Sequence, residues 1–222
     1  MKPEKVRQAC ETSLKDWGMK YFDLYLIHWP FCFKADPKTN STLYDDNGVA
    51  ILDETYKIED TWRAMEELVE LGLVKNIGVS NFSISLLQRI LTIPNLKIRP
   101  AVNQVELHPY LPQKELRKFC SSNGIVVEAY SSLGSGKEPS LLEDDIVLQL
   151  SKETGISPSC WLLSWARQQN IPVIPKSSNP SRIAENYIHH QLSQDFLDKL
   201  NSIHKTHRYV DPMNFWKHPM PQ

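Results

Sequence analysis

Phe22-Asp23-Leu24-Tyr25-Leu26-Ile27-His28-Trp29-Pro30 is a short apolar run that stops abruptly at a histidine, an indole and a proline. The unbroken Leu24 to Ile27 suits a strand covered on both faces, not one that alternates between core and solvent. The same design recurs along the chain. Apolar runs at 75–79, 101–107, 125–130 and 172–174 contain or run into Ser80-Asn81, Asn103-Gln104, Ser131-Ser132 and Lys176-Ser177. Amphipathic stretches at 4–16, 58–71, 85–91, 112–122, 158–169 and 180–186 separate them, and their apolar residues fall at helical spacing. Short strands alternating with helices predict an α/β fold with parallel strands.

Local signals support the helices. Ser157-Pro158 and Asn179-Pro180 each set a capping side chain before a proline at the first helical position. Ile58, Trp62, Met65 and Val69 mark one helix face, and Gly72 is the expected stop. The longest irregular stretch, 30–55, holds Asp36-Pro37 and Asn47-Gly48 and is expected to be a functional loop over a site, and together with the stretch 209–222, which holds Phe215 and Trp216, it is expected to frame a substrate pocket. No G-x-G-x-x-G follows any strand, so the dinucleotide turn of a doubly wound sheet is absent. Polar residues instead gather at strand ends, which share one face in a (β/α)₈ barrel. The barrel is therefore the better expectation.

The 222 residues are 41% hydrophobic and 23% charged with a net charge of -1, ordinary values for a globular chain. That balance argues against nucleic acid or anionic lipid as a partner held by bulk charge. No apolar run approaches the ~18 residues of a membrane span, and the first residues do not read as a signal peptide. Cys10, Cys32, Cys120 and Cys160 include no C-x-x-C pair, so no metal site is expected. Free thiols in a reducing cytoplasm are.

The polar residues at strand ends suggest chemistry jointly more than singly. His28 beside Trp29 is suited to donate a hydrogen bond to a substrate oxygen against an apolar wall. Ser80, Asn81 and Gln104 carry the hydroxyl and amide groups that fix a carboxamide, and Tyr130 can stack on a flat ring. In Ile174-Pro175-Lys176-Ser177-Ser178-Asn179-Pro180-Ser181-Arg182-Ile183-Ala184-Glu185-Asn186, cations and hydroxyls surround a capped helix start, a favourable place for a phosphate. A barrel glycosidase using Glu106 and Glu128 is a competing reading, since strand period lets both face inward, but it leaves the phosphate segment without a role.

Leu24 to Pro30, Gly78-Val79-Ser80-Asn81-Phe82, Val102-Asn103-Gln104 with His108-Pro109, Glu128-Ala129-Tyr130-Ser131 and the 174–186 segment together resemble the aldo-keto reductases, in order and over nearly the whole chain. The resemblance implies an incomplete TIM (β/α)₈ barrel. Parallel strands 4 to 8 of the family fold would form a single partial domain over 1–222, without counterparts of the first three βα units. It implies NADPH as cofactor and a small-molecule aldehyde or ketone, reduced to the alcohol, as substrate. His28 would orient the substrate carbonyl beside Trp29, Ser80, Asn81 and Gln104 would hold the nicotinamide carboxamide, and Tyr130 would stack under its ring. Ser131, Leu133 and Ser135 would lie along the pyrophosphate. Lys176, Ser177 and Arg182 would take the 2′-phosphate, with Glu185 and Asn186 at the adenine.

Of the family's catalytic tetrad only His28 has a counterpart, while the aspartate, the proton-donating tyrosine and the lysine that activates it do not. General acid catalysis contributes about 10²–10⁴-fold, so turnover is expected at trace level. The alternative is a catalytically silent NADPH-binding or partner-binding module. An incomplete barrel also exposes sheet edges, through which chains are expected to associate.

Overall fold

The computed structural model describes residues 2–39 and 41–219. They fall into two compact units, one made of Met1–Asn103, Phe119–Ile125 and Asp211–Gln222, the other of Gln104–Lys118 and Val126–Val210.

The first unit holds α1 (Pro3–Trp17), β1 (Phe22–Ile27), α2 (Ile58–Glu70), β2 (Val74–Ser80) and α3 (Ile84–Leu91). β1 and β2 pair in parallel from Phe22↔Val74 to Ile27↔Val79. Trp62, Leu68, Ile77, Val79, Leu87 and Ile90 are fully buried there, each contributing roughly 1.5–3 kcal/mol by leaving water. α2 also holds the segment that leads out of α3. Its buried Glu66 accepts the Lys97 and Ile98 amides at 2.8 Å each, and Trp62 Nε1 donates to the Ile98 carbonyl at 3.0 Å. These bonds aim the chain into β3 (Val102–Glu106). Gly78 lets β2 approach closely, because a Cβ there would lie 2.6 Å from the Val102 carbonyl oxygen.

β3 and α4 (Lys114–Ser122) contribute residues to both units. The second unit continues with β4 (Val126–Tyr130), α5 (Asp145–Thr154), α6 (Pro158–Arg167), α7 (Pro180–Tyr187) and α8 (Gln194–Asn201). Its apolar centre is built on Trp161, set edge-on to Phe196 at 5.0 Å, and Trp165, whose Nε1 donates to Asn201 Oδ1 at 2.9 Å. A short α9 (Met213–Trp216) lies in the first unit.

The strand order is β1-β2-β3-β4, each strand beside the next in sequence. A doubly wound sheet would reverse direction at a switch point; here, helical crossovers through α2, α3 and α4 carry the chain steadily one way. The expected strand at 172–174 is reduced to one parallel bridge, Ala129↔Val173. Pro172 and Pro175 bracket it and remove two ladder donors. The 30–55 loop is braced by the antiparallel bridges Phe33↔Leu52, Ala35↔Thr42 and Tyr44↔Ala50. Ser157 and Asn179 cap their helices as expected, through the Cys160 amide and the Ser181 and Arg182 amides. The periodicity reading passes over α5, α8 and α9, although the first two begin at the capping residues Asp144 and Ser193.

Candidate functional site

His28 is the first residue beyond β1 and is exposed. It opens onto a cavity of about 350 Å³ lined also by Tyr25, Trp29, Phe31, Phe33 and Trp216. Trp216 stands edge-on to Trp29 at 5.4 Å and to Phe31 at 5.5 Å, so α9 and the 30–55 loop build one aromatic wall. Phe215, expected beside Trp216 at this pocket, does not line it and is 49% exposed. The last residues of that expected frame, 220–222, lie outside the described ones.

Ser80 and Asn81 leave β2 next to this histidine and are buried. Asn81 takes a left-handed conformation, φ 65°, which asparagine tolerates better than most residues. Its Nδ2 donates to the His28 carbonyl at 3.0 Å and to Ser80 Oγ at 3.2 Å. Asn103, fully buried, clamps the same turn by donating to the Phe82 carbonyl at 3.0 Å and accepting the Phe82 amide at 3.4 Å. Asn103 and Gln104, expected at a strand end, lie inside β3, and only the structure makes Asn103 a brace for the Ser80-Asn81 turn.

In the second unit Gln104 Nε2 donates to Glu128 Oε1 at 2.6 Å. Glu128 and Tyr130 share a half-buried face, while Val127 and Ala129 are buried on the other. Burial, followed by the charge of Glu106, pushes the Tyr130 phenol well above its ordinary pKa, so it is a neutral ring near neutral pH. Beyond Tyr130 the chain turns through left-handed Ser131 and Ser135 (φ 52° and 56°), whose hydroxyls bond at 2.7 Å, with Leu133 half-buried between them.

Glu106 is spoken for. Its carboxylate accepts the Tyr209 amide at 2.6 Å, the Val210 amide at 2.8 Å and His108 Nε2 at 2.9 Å. Burial alone would raise its pKa. The hydrogen bonds from His108 and the two amides outweigh burial and hold it below the usual carboxylate value. A carboxylate so satisfied is no glycosidase acid, and Glu128 is engaged by Gln104, which removes that reading.

Lys176 and Arg182 are exposed, and neither side chain forms a hydrogen bond or ion pair with a described residue. The helix start beside them is not the phosphate cradle expected from its cap. Asn179 Oδ1 already accepts the Ser181 and Arg182 amides at 2.9 and 3.3 Å, and Pro180 has no N–H. The first turn of α7 therefore offers few free backbone donors, and an anion here is the business of the Lys176, Ser177 and Arg182 side chains. Two unpaired cations and a hydroxyl fit a phosphate monoester such as that of NADPH. Further along α7, Glu185 receives the Cys160 thiol at 3.6 Å on its carbonyl, and Asn186 is buried, its carbonyl bonded by Arg167.

The chain does bring a tyrosine, an aspartate and a lysine together, at the opposite end of β1 from His28. Lys75 Nζ lies 3.0 Å from Tyr21 Oη and 2.7 Å from Asp23 Oδ1. A six-residue strand separates this group from His28, roughly 20 Å at ~3.3 Å per residue. Tyr25 does face the cavity, but burial raises its pKa, the wrong direction for an acid working near neutrality.

Among the described residues no helix is long and apolar enough to cross a membrane, and no group of three or more His, Cys, Asp or Glu side chains is placed to hold a metal ion. The pattern of the Aldo/keto reductase family matches residues 1–205. Aldose reductase B of Dictyostelium discoideum is 46% identical over 220 residues, covering 97% of this chain and 70% of that protein. An aldehyde reductase of Saccharomyces cerevisiae is 41% identical over 211 residues, covering 91% of this chain and 67% of that one. The structure of an aldose reductase from Giardia lamblia superposes with a TM-score of 0.91 at 41% identity, covering 99% of this chain and 74% of that chain.

Proposed function

The chain belongs to the aldo/keto reductase family, and we propose that it carries the NADPH-binding wall and the carbonyl-orienting histidine of an aldehyde or ketone reductase. The observation that carries this reading is the apolar cavity of about 350 Å³ onto which His28 opens, walled by Trp29, Phe31, Phe33 and Trp216. It suits a small carbonyl compound with an apolar body. His28 orients the carbonyl oxygen. Ser80, Asn81 and Gln104 hold the nicotinamide carboxamide, and the neutral Tyr130 ring stacks beneath it. Ser131, Leu133 and Ser135 follow the pyrophosphate, Lys176, Ser177 and Arg182 take the 2′-phosphate, and Glu185 and Asn186 border the adenine. When bound, the cofactor supplies the hydride.

On this reading β1 to β4 and the Val173 segment are strands 4 to 8 of the family barrel, within one partial domain over 1–222. A second reading, a silent NADPH-binding or partner-binding module, has its own support. The tyrosine, aspartate and lysine that do meet, Tyr21, Asp23 and Lys75, lie at the wrong end of β1 to protonate a carbonyl held by His28. Among the described residues β1 stands at one edge of its sheet, and a strand edge is a place where another chain can associate. We place the protein in the cytoplasm.

The test is calorimetric titration of the purified chain with NADPH, followed by aldehyde-dependent NADPH oxidation. Binding with only trace oxidation is expected. Absence of binding overturns the cofactor reading, and robust oxidation that disappears in His28→Ala overturns the silent module.

A further inference from the structure

Tyr209 lies far along the chain from the strand-end motifs and is almost completely buried, yet its contacts converge on one loop. Its Oη donates to the Pro139 carbonyl at 2.6 Å, and its own carbonyl accepts from Lys137 Nζ at 2.8 Å. Its ring lies against Gly134, where an added Cβ would sit 3.2 Å from Tyr209 Cζ and Oη. The opposite side of Tyr209 is fixed by the protein. The ring packs on His108 at 5.0 Å and His207 at 4.6 Å, and the Tyr209 and Val210 amides are gripped by the two oxygens of Glu106. Glu106 ends β3, two residues after Gln104. A short chain of contacts thus runs from a rigid strand through a buried carboxylate and an aromatic ring to the loop at 134–139.

That loop needs holding. Ser131, Gly134, Ser135 and Gly136 all have positive φ, 52°, 78°, 56° and 64°. Two of the four are not glycine, and such residues keep a left-handed conformation only where their surroundings over-determine it. The Ser131–Ser135 hydroxyl bond is local, and its members are half-buried or exposed. Leu141 also packs on Gly134, and Ser132 Oγ donates to the Ala129 carbonyl at 3.2 Å, but Tyr209 is the tie that carries a hydrogen bond from the core to Pro139.

We propose that Glu106 and Tyr209 are positioning residues that preset the 131–139 loop to receive the pyrophosphate of a dinucleotide. This rests on the reading of Ser131, Leu133 and Ser135 given above. Without the clamp the loop samples other conformations, and the binding-competent fraction falls together with the apparent affinity. The loss falls on ligands that reach along the loop. A nucleotide confined to the Lys176 and Arg182 corner is spared.

The test compares NADPH with adenosine 2′,5′-bisphosphate, which keeps the 2′-phosphate but lacks the pyrophosphate bridge and nicotinamide. Both are titrated by calorimetry into the full chain, Tyr209→Phe and Glu106→Gln. Tyr209→Phe keeps the ring and removes only the bond to Pro139, so it serves where Glu106→Gln folds poorly. Amide hydrogen exchange of the ligand-free proteins is followed in parallel. We expect NADPH binding about five- to tenfold weaker in Tyr209→Phe, the worth of one hydrogen bond. Bisphosphate binding should be unchanged, and faster exchange should be confined to 131–139. Equal NADPH affinities overturn the proposal and leave the cofactor reading standing. Parallel weakening of both nucleotides with exchange rising throughout the chain also overturns it, since that is the mark of a merely structural residue. A wild-type chain that binds neither nucleotide overturns the cofactor reading and the proposal's ligand, while the exchange pattern still decides whether the clamp holds the loop.

Discussion

Two polar regions of the second unit stand in contrast. Glu106 is buried, its two oxygens share three hydrogen bonds, and its partners come from His108 and the distant 209–210 backbone. Lys176 and Arg182 are exposed, and their side chains bond to no described residue. Both regions drew notice in the sequence as candidate chemistry. A buried charge must be satisfied by the protein or it destabilises the fold, so a fully partnered carboxylate has its chemistry already used. A solvated cation needs no partner to be stable, and Lys176 and Arg182 remain available to an anion. Satisfaction, more than residue type, separates the structural polar group from the ligand-facing one.

The contrast breaks hardest at Glu106. Glu106→Ala leaves the buried Tyr209 amide, the part-buried Val210 amide and His108 without their acceptor, and we expect it to lower the unfolding free energy by roughly 3 kcal/mol or more, read from urea titration. An unchanged midpoint would mean that Glu106 is no anchor. Arg182→Ala should do the reverse, leaving the urea midpoint alone and acting on the ligand. Each charge-assisted bond to a phosphate contributes ~1.5–3 kcal/mol. The intact chain should therefore prefer NADPH to NADH by more than about tenfold, and the variant should lose most of that gap. Equal calorimetric affinities for the two dinucleotides in the intact chain would remove the phosphate assignment.

Acid sharpens the comparison further. Because the folded pKa of Glu106 lies below its ordinary value, its contribution is present above the unfolded carboxylate pKa of about 4.3 and is lost as pH falls through the folded value. Urea midpoints between near-neutral and strongly acidic pH should thus fall more steeply in the intact chain than in Glu106→Gln; parallel slopes would contradict the sign of that shift. The smallest effect is expected at Lys75, which is partnered by Tyr21 and Asp23 but exposed. Lys75→Ala should leave the urea midpoint unmoved, since exposed ion pairs contribute little. A clear loss there would show that satisfaction matters even without burial.

Local signals made much of this molecule legible. Apolar runs found β1 to β4 because a strand covered on both faces has little choice of residue type, and Ser157 and Asn179 marked their helices because a cap acts within three residues of itself. The same locality explains the failures. The 172–174 run was apolar enough for a strand, but its flanking prolines left it a single bridge. The Asn179 side chain took the amides expected to serve an anion.

What the sequence by itself determined was the alternation of strand and helix, the family, and the placing of His28 and Ser80 at strand ends, all of it written within a few neighbouring residues. Only the tertiary structure decided that Asn103 braces a turn 21 residues away, that Trp216 and not Phe215 walls the cavity at His28, and that Glu106 grips the backbone 103 residues further along the chain. The physical reason is that a buried hydrogen bond or a cavity wall is satisfied by whichever group folding brings into reach, and contacts at such separations leave no period, cap or spacing in the sequence from which they could be read.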